Sequence, residues 1–225
     1  MFSLRSLRGL CATSRSGFKL YLYVTPPRLD ETKPPRYTFP MRITFKEWAV
    51  IVDALGCGEQ MLILRKGGIS EGRGGFQVEH PHFLFFPTLF HQQRESVLPS
   101  AQTRYDQIAP HFPATDKLRL EFGAEVVAWK RLDSLAMAER LRGQHVWRDE
   151  VIAERFDWGG QHAIHALAVK VFQLPKPLDL PMLPSYGGCK SWVELVPDIS
   201  VADARPVLDA NTFAAKLQQF NDALQ

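Results

Sequence analysis

The sequence predicts an α+β protein with a mixed, mainly antiparallel sheet and flanking helices. Segments typical of strands and segments with helical periodicity both occur in the 225-residue chain. They do not follow the regular strand–helix–strand order that a doubly wound parallel sheet requires. Residues 93–116 are polar and contain three prolines. Two arrangements therefore remain open: one continuous unit, or two lobes that meet at this connector.

Residues 1–40 differ in charge from the rest of the chain. They hold seven of the 27 Lys and Arg residues and two of the 24 Asp and Glu residues, which leaves 20 basic and 22 acidic residues for the body. This Arg- and Ser-rich segment resembles an organellar transit peptide. The alternative, which we prefer, is a start at Met41, where globular periodicity begins. We therefore expect a non-globular leader at 1–40, an α+β domain at 41–200 and a C-terminal helical tail at 201–225.

The first elements of the body surround a Gly-rich segment. Apolar residues recur at three- and four-residue spacing over Thr44–Leu55, which predicts an amphipathic helix. Gln60–Arg65 is a short apolar run that suits a buried strand, and Phe76–Val78 begins a second strand. We expect these two strands to form a hairpin. Its loop would be longer than is usual for hairpins, and long loops are often functional.

The later elements follow from the same periodicities. Alternating apolar residues predict strands, three- to four-residue spacing predicts helices, and prolines end several segments. The sequence predicts an apolar run His82–Phe86, a helix Thr103–Ile108, a strand Leu118–Trp129, helices Leu132–Leu141 and Arg148–Phe156, a β-prone segment Ala163–Leu174 ended by PKPLDLP, a Gly-rich turn with a strand or helix over Tyr186–Leu195, and a terminal helix Phe213–Leu224.

An anion-binding site is predicted where the first apolar strand ends. Arg65 and Lys66 are followed directly by Gly67 and Gly68. Glycine lets backbone N–H groups approach a ligand closely, and the planar guanidinium of Arg matches a carboxylate or phosphate. The spacing of a P-loop is absent. The alternative is a hairpin loop with solvated charges.

A second candidate group consists of Glu79, His80 and His91. A carboxylate beside an imidazole can act as an acid/base pair, and histidines can also hold a metal ion. The sequence contains no HExxH and no run of carboxylates at metal spacing, so we predict no metal site and identify no cofactor. The alternative is a hydrogen-bonded structural histidine beside the loop.

Aromatic and basic residues are interleaved around the helix at 148–156. Aromatic side chains next to arginine can stack nucleobases. Tryptophan at such spacing is more often part of the core, and we expect core positions for this set, which consists of His145, Trp147, Arg155 and Trp158.

Composition excludes several classes of protein. The longest apolar runs, such as Phe83–Phe90, are far shorter than a membrane helix requires, so we predict no membrane partner. Cysteines at 11, 57 and 189 form no CxxC pair, which weighs against a disulfide framework and favours the cytoplasm. We expect Cys189 to be buried. The slightly acidic body argues against a broad DNA-binding face.

Several blocks of the body resemble a known family. The blocks KEWAVIVDALG, LILRKGGISE, FQVEHPHFLFFPTLFHQ, HVWRDEVIAERFDW and YGGCKSWVEL occur in this order between about Phe45 and Leu195. They resemble the domain of unknown function 1802 (DUF1802) family of uncharacterised prokaryotic proteins. Some members are joined to a restriction-endonuclease-like domain, so the resemblance implies a link to restriction–modification. Its blocks add Thr88 and Gln92 to the candidate ligand-binding residues.

Three functions are therefore open. The first is a binding module that grips an anionic or phosphate-bearing ligand, such as a nucleic-acid phosphate or end, through Arg65 and Lys66. The second is a hydrolase of the nuclease or phosphoesterase type, with His80 or His91 as general base or metal ligand and Glu79 orienting it. The third is a structural partner protein.

Overall fold

The computed structural model describes residues 40–66, 76–160 and 162–225. Strands and helices are mixed along the chain, as in the predicted α+β class. The elements are β1 (Met41–Trp48), α1 (Ala49–Gly56), β2 (Leu62–Arg65), β3 (His82–Thr88), α2 (Pro99–Ile108), β4 (Lys117–Leu132), α3 (Leu135–Glu139), α4 (Asp149–Asp157), β5 (Ile164–Pro181), β6 (Trp192–Ile199), β7 (Arg205–Pro206) and α5 (Ala210–Ala223).

The described strands form one sheet in the order β2-β5-β4-β3-β1-β6, and β7 pairs with β5. Only β1 and β3 pair in parallel within this part of the chain; the other pairs are antiparallel. The mixed, mainly antiparallel sheet is confirmed. Strands from both sides of residues 93–116 belong to this sheet.

The first predicted helix is wrong in its N-terminal half. Residues 44–48 belong to β1, and α1 begins only at Ala49. β1 lies between β3 and β6, and buried residues such as Phe45 and Glu47 alternate only partly with exposed ones. An internal strand that is covered on both faces loses the clean alternation that separates strands from helices in a sequence.

The predicted hairpin is also wrong. β2 pairs with β5, with Arg65 opposite His165, and Phe76–Val78 lies outside any strand. Phe76 is nevertheless fully buried, and its ring contacts those of Phe45 and His165. The partner of β2 is about a hundred residues away in sequence, so local patterns could not identify it. The Gly-rich segment 67–75 lies outside the described residues.

The later predictions are confirmed with shifted ends. The largest shift concerns β5, which continues through the proline-rich PKPLDLP to Pro181 and pairs with the start of β4. Beyond Gln173 the second edge of β5 has no described partner strand. Proline is tolerated at such an edge, because its missing N–H breaks no bond of the ladder.

Two apolar clusters cover the sheet. The larger contains residues of α1, α4 and α5, including Phe220 and Leu224 near the C-terminus. The smaller contains Phe86, Phe172 and Tyr186. None of the helices in the described ranges is long and apolar enough to cross a membrane.

Candidate anion-binding site

Arg65 joins the two edges of the sheet. Its Nε and Nη2 donate to Ser191 Oγ at 3.2 and 2.8 Å, and its Nη1 donates to the carbonyl of Lys46 at 3.4 Å. β2 is one edge strand, and Ser191 immediately precedes β6, the other edge strand. The sheet therefore curls until its edges approach each other at Arg65. The guanidinium also lies 5.1 Å from the ring centroid of Phe45.

Helix α4 adds a second arginine to the end of β2. Arg155 Nη1 donates to the carbonyl of Leu64 at 3.2 Å, which satisfies an acceptor on the outer edge of β2. Its guanidinium lies 4.5 Å from the ring centroid of Trp48 and 5.5 Å from that of Trp147. Contacts of this kind favour a cation over an aromatic face, so they fix the position of Arg155.

Lys66 connects the end of β2 to α4 and to the residue that precedes β5. Its Nζ donates to the carbonyl of Phe156 at 2.8 Å and to that of Ala163 at 3.1 Å. Burial lowers the pKa of Lys66, while the nearby Asp157 carboxylate raises it. The end of β2 therefore holds a third cation next to the two arginines.

These cations line one open cleft of about 240 Å³ with Trp158 as its aromatic wall. The lining residues in the described part of the chain are Arg65, Lys66, Arg155 and Trp158. Trp158 is 52% exposed, although a tryptophan is usually buried in the core. Burial lowers the pKa of Arg155 to about 10, against the attraction of Glu47, so this guanidinium stays charged at neutral pH.

Glu47 is a buried carboxyl group close to the two arginines of the cleft. It is 2% exposed, and its Oε1 accepts a hydrogen bond from the N–H of Trp48 at 2.7 Å. Within the described ranges its Oε2 has no hydrogen-bond partner. Burial raises the pKa of Glu47, and the nearby Arg65 and Arg155 only partly oppose this. A buried charge with an unsatisfied oxygen costs stability.

Glu47 should therefore make the protein less stable as pH rises. Above the ordinary value of 4.5 the unfolded chain loses its proton, whereas the folded protein keeps it up to the raised pKa. Folding stability falls across this window and then stays constant. We expect the Tm of Glu47→Gln minus that of the wild type to increase with pH from about 4.5 upward. Thermal unfolding at a series of pH values checks this.

The matched control for this prediction is Glu194→Gln, which makes the same change at an exposed position of β6. Its Tm difference from the wild type should stay nearly flat over the same pH series. If the Tm difference between Glu47→Gln and the wild type is also independent of pH, burial does not raise the pKa of Glu47.

The predicted ligand-binding residues are only partly brought together. Arg65 and Lys66 share the cleft, whereas Gly67 and Gly68 lie outside the described residues. Thr88 does not line the cleft, and its Oγ1 donates to the carbonyl of Glu47 at 3.2 Å. Gln92 is exposed in a short 3-10 helix that follows β3.

The predicted acid/base residues do not line this cleft in the described structure. Glu79 and His91 are exposed, and His80 is half-buried, with its ring 5.3 Å from that of Trp192. No hydrogen bond joins Glu79, His80 and His91 to one another in the ranges that the structure describes. Those ranges also contain no group of three or more His, Cys, Asp or Glu residues placed to hold a metal ion.

Two expectations from the sequence are corrected here. His145 and Trp147 are buried, as expected, but Trp158 is exposed because it follows the end of α4 at the surface. Cys189 is exposed rather than buried. The sequence does not single out Glu47, which lies within the predicted helix Thr44–Leu55. Its only signal was a carboxylate within an apolar segment.

Comparisons with known proteins give a family and one structural likeness. The family model described as Domain of unknown function (DUF1802) matches residues 44–219. A solved structure, the ZmASCH S128A mutant protein from Zymomonas mobilis, is similar with a TM-score of 0.42 and 11% sequence identity, over 80% of this chain and 96% of that chain. A search of the curated proteins found no match.

Proposed function

We propose a function for this chain, which belongs to the DUF1802 family: it binds a phosphate-bearing anion in the cleft of Arg65, Lys66, Arg155 and Trp158. The observation that carries this proposal is the concentration of three cations from two distant segments in one small open cleft. A phosphate group has the charge and the acceptor oxygens that these donors match.

The hydrogen bonds of the two arginines support an anion as ligand. Among the described residues, those bonds go to a hydroxyl group and to backbone carbonyls, which are neutral acceptors. Like charges held close together repel each other, and in the described part of the chain the acid close to both arginines is the buried Glu47. A bound anion would offset this repulsion.

The size of the cleft and the charge of the body limit the ligand. About 240 Å³ is below the range of roughly 300–1,000 Å³ that is typical of pockets for drug-sized ligands. The body of the chain is slightly acidic, so attraction to a polyanion is local. The cleft therefore suits one phosphate-bearing group rather than a long stretch of nucleic acid.

Binding should depend only weakly on salt. We expect pyrophosphate and a 5′-phosphorylated oligonucleotide to bind with a salt dependence that reflects about one or two phosphates, rather than the roughly six to ten of an extensive DNA interface. Calorimetric titration over a salt series, with fluorescence anisotropy for the oligonucleotide, measures this slope. Absence of binding by both ligands at low salt would contradict the proposal.

The same samples test the hydrolase hypothesis for Glu79, His80 and His91. Release of phosphate or cleavage of the strand is followed with and without Mg²⁺. Turnover that disappears in a variant with His80→Gln and His91→Gln would favour a hydrolase. Binding without turnover favours a binding module.

A further inference from the structure

We infer that the ligand of the cleft is a nucleotide, whose phosphate contacts the cations and whose base stacks on Trp158. This inference rests on the proposed function and adds the chemical class of the ligand. The nucleotide is either free or at the end of a nucleic-acid strand, because both offer the same phosphate, sugar and base.

The exposure of Trp158 is the first observation that supports a stacked base. About half of its surface is open to water, whereas Trp147 is 1% exposed and the ring of Trp192 is packed against that of Phe45. An exposed indole forfeits the transfer free energy that burial would give. A flat apolar ring beside a cationic cleft regains that free energy when another flat ring covers it.

The position of Trp158 carries the second step. It follows α4 directly, three residues after Arg155, and both residues line the same cleft. Arg155 is held by the Leu64 carbonyl and by the rings of Trp48 and Trp147. The distance between the cationic wall and the aromatic wall is therefore set by one helix end and not by an independent loop.

The combination of cations with an aromatic ring favours a nucleotide over a simple phosphate. Inorganic phosphate or a sugar phosphate would use only Arg65, Lys66 and Arg155. A nucleotide uses both walls, since a base stacks on tryptophan while its phosphate is bound by cations. Every base has a face that can stack, so this geometry selects nucleotides as a class and does not select one base.

The test compares two ligands that differ only by the base. Adenosine monophosphate and ribose 5-phosphate are titrated into the wild type and into Trp158→Leu. We expect the Kd of the nucleotide to rise about five- to a hundredfold in the variant. The Kd of ribose 5-phosphate should not change. Trp158→Phe, which keeps a flat ring, should retain most of the affinity for the nucleotide.

The control is Phe90→Leu, which removes a ring that is 59% exposed and does not line the cleft. It should leave both affinities unchanged. A nucleotide affinity that is equal in Trp158→Leu and the wild type would overturn the stacking inference and leave the anion proposal intact. If neither ligand binds the wild type, both the inference and the proposed function are wrong.

A second pair of ligands distinguishes a free nucleotide from a strand end. Adenosine monophosphate is compared with an adenine trinucleotide that carries a 5′-phosphate. If Trp158→Leu weakens the binding of both ligands equally, the cleft recognises the nucleotide that a free ligand and a strand end have in common. If only the trinucleotide binds, and Trp158→Leu weakens its binding, the cleft is specific for strand ends. Sensitivity of neither overturns the inference.

Discussion

Replacing Arg65 and Lys66 together by Gln is expected to weaken the binding of pyrophosphate about ten- to a hundredfold, because a charge-assisted hydrogen bond contributes roughly 1.5–3 kcal/mol. Both residues line the cleft, and Arg155 remains to hold the ligand weakly. Calorimetric titration at low salt measures the change in Kd.

The same variant should also be less stable than the wild type. Arg65 gives up its bonds to Ser191 and to the Lys46 carbonyl, as well as its contact with the Phe45 ring. We expect a loss of roughly 1–2 kcal/mol in the free energy of unfolding, since Arg65 itself is only half-buried. Binding is therefore measured well below the Tm of the variant.

A matched control removes the same charge elsewhere on the sheet. Lys117 and Arg119 lie at the start of β4, opposite Pro181 and Asp179 of β5, whereas Arg65 lies opposite His165 at the other end of β5. The variant with Lys117→Gln and Arg119→Gln should keep the affinity of the wild type. An equal loss in both variants would show that net charge, and not the cleft, governs binding.

Acid should destabilise the protein through two buried histidines. Burial lowers the pKa of His145 and of His165 to about 4, from an ordinary 6.5. The folded protein therefore binds fewer protons than the unfolded chain between these values, and folding stability is lost as pH falls from 6.5 to about 4. Each histidine should cost about 3 kcal/mol at pH 4 relative to pH 7.

The surroundings of His165 explain why it stays neutral. Trp129 Nε1 donates to His165 Nδ1 at 3.1 Å, and the two rings are stacked. The indole nitrogen can only donate, so a proton on Nδ1 would break this bond. Burial is the first cause of the lowered pKa, and the nearby Arg131 adds to it.

Urea unfolding at pH 7 and pH 4 measures this acid sensitivity. His145→Phe and His165→Gln should each remove about half of the difference that the two histidines cause in the wild type. The glutamine in the second variant still offers an oxygen to Trp129. The control is the exposed His162→Gln, which should leave the difference unchanged. If all three variants lose the same stability between pH 7 and pH 4, His145 and His165 are not the cause of the acid sensitivity.

The sequence predicted the fold where the signals were local. The long alternating segment of β4 and the amphipathic α5 were recognised because their periodicity extends over many residues. β1 was misassigned because it is internal to the sheet, and the pairing of β2 was missed because its partner β5 lies far along the chain. Periodicity reports the environment of one segment and carries no information about its neighbour.

The site followed the same division. Arg65 and Lys66 were candidates because two adjacent cations end an apolar strand. Arg155 and Trp158 reach the cleft through the packing of α4 near the end of β2, where Arg155 bonds the Leu64 carbonyl. The sequence shows that aromatic and basic residues are interleaved in this segment. It does not show which of the aromatic residues are buried and which are exposed.

The most direct test of the anion cleft is a titration of the 15N-labelled protein with pyrophosphate, followed by NMR of the arginine Nε–H and tryptophan indole signals. The proposal predicts that the signals of Arg65, Arg155 and Trp158 shift together, with one common Kd. Signals that stay fixed at these residues while those of Arg119 or other distant cations shift would contradict it.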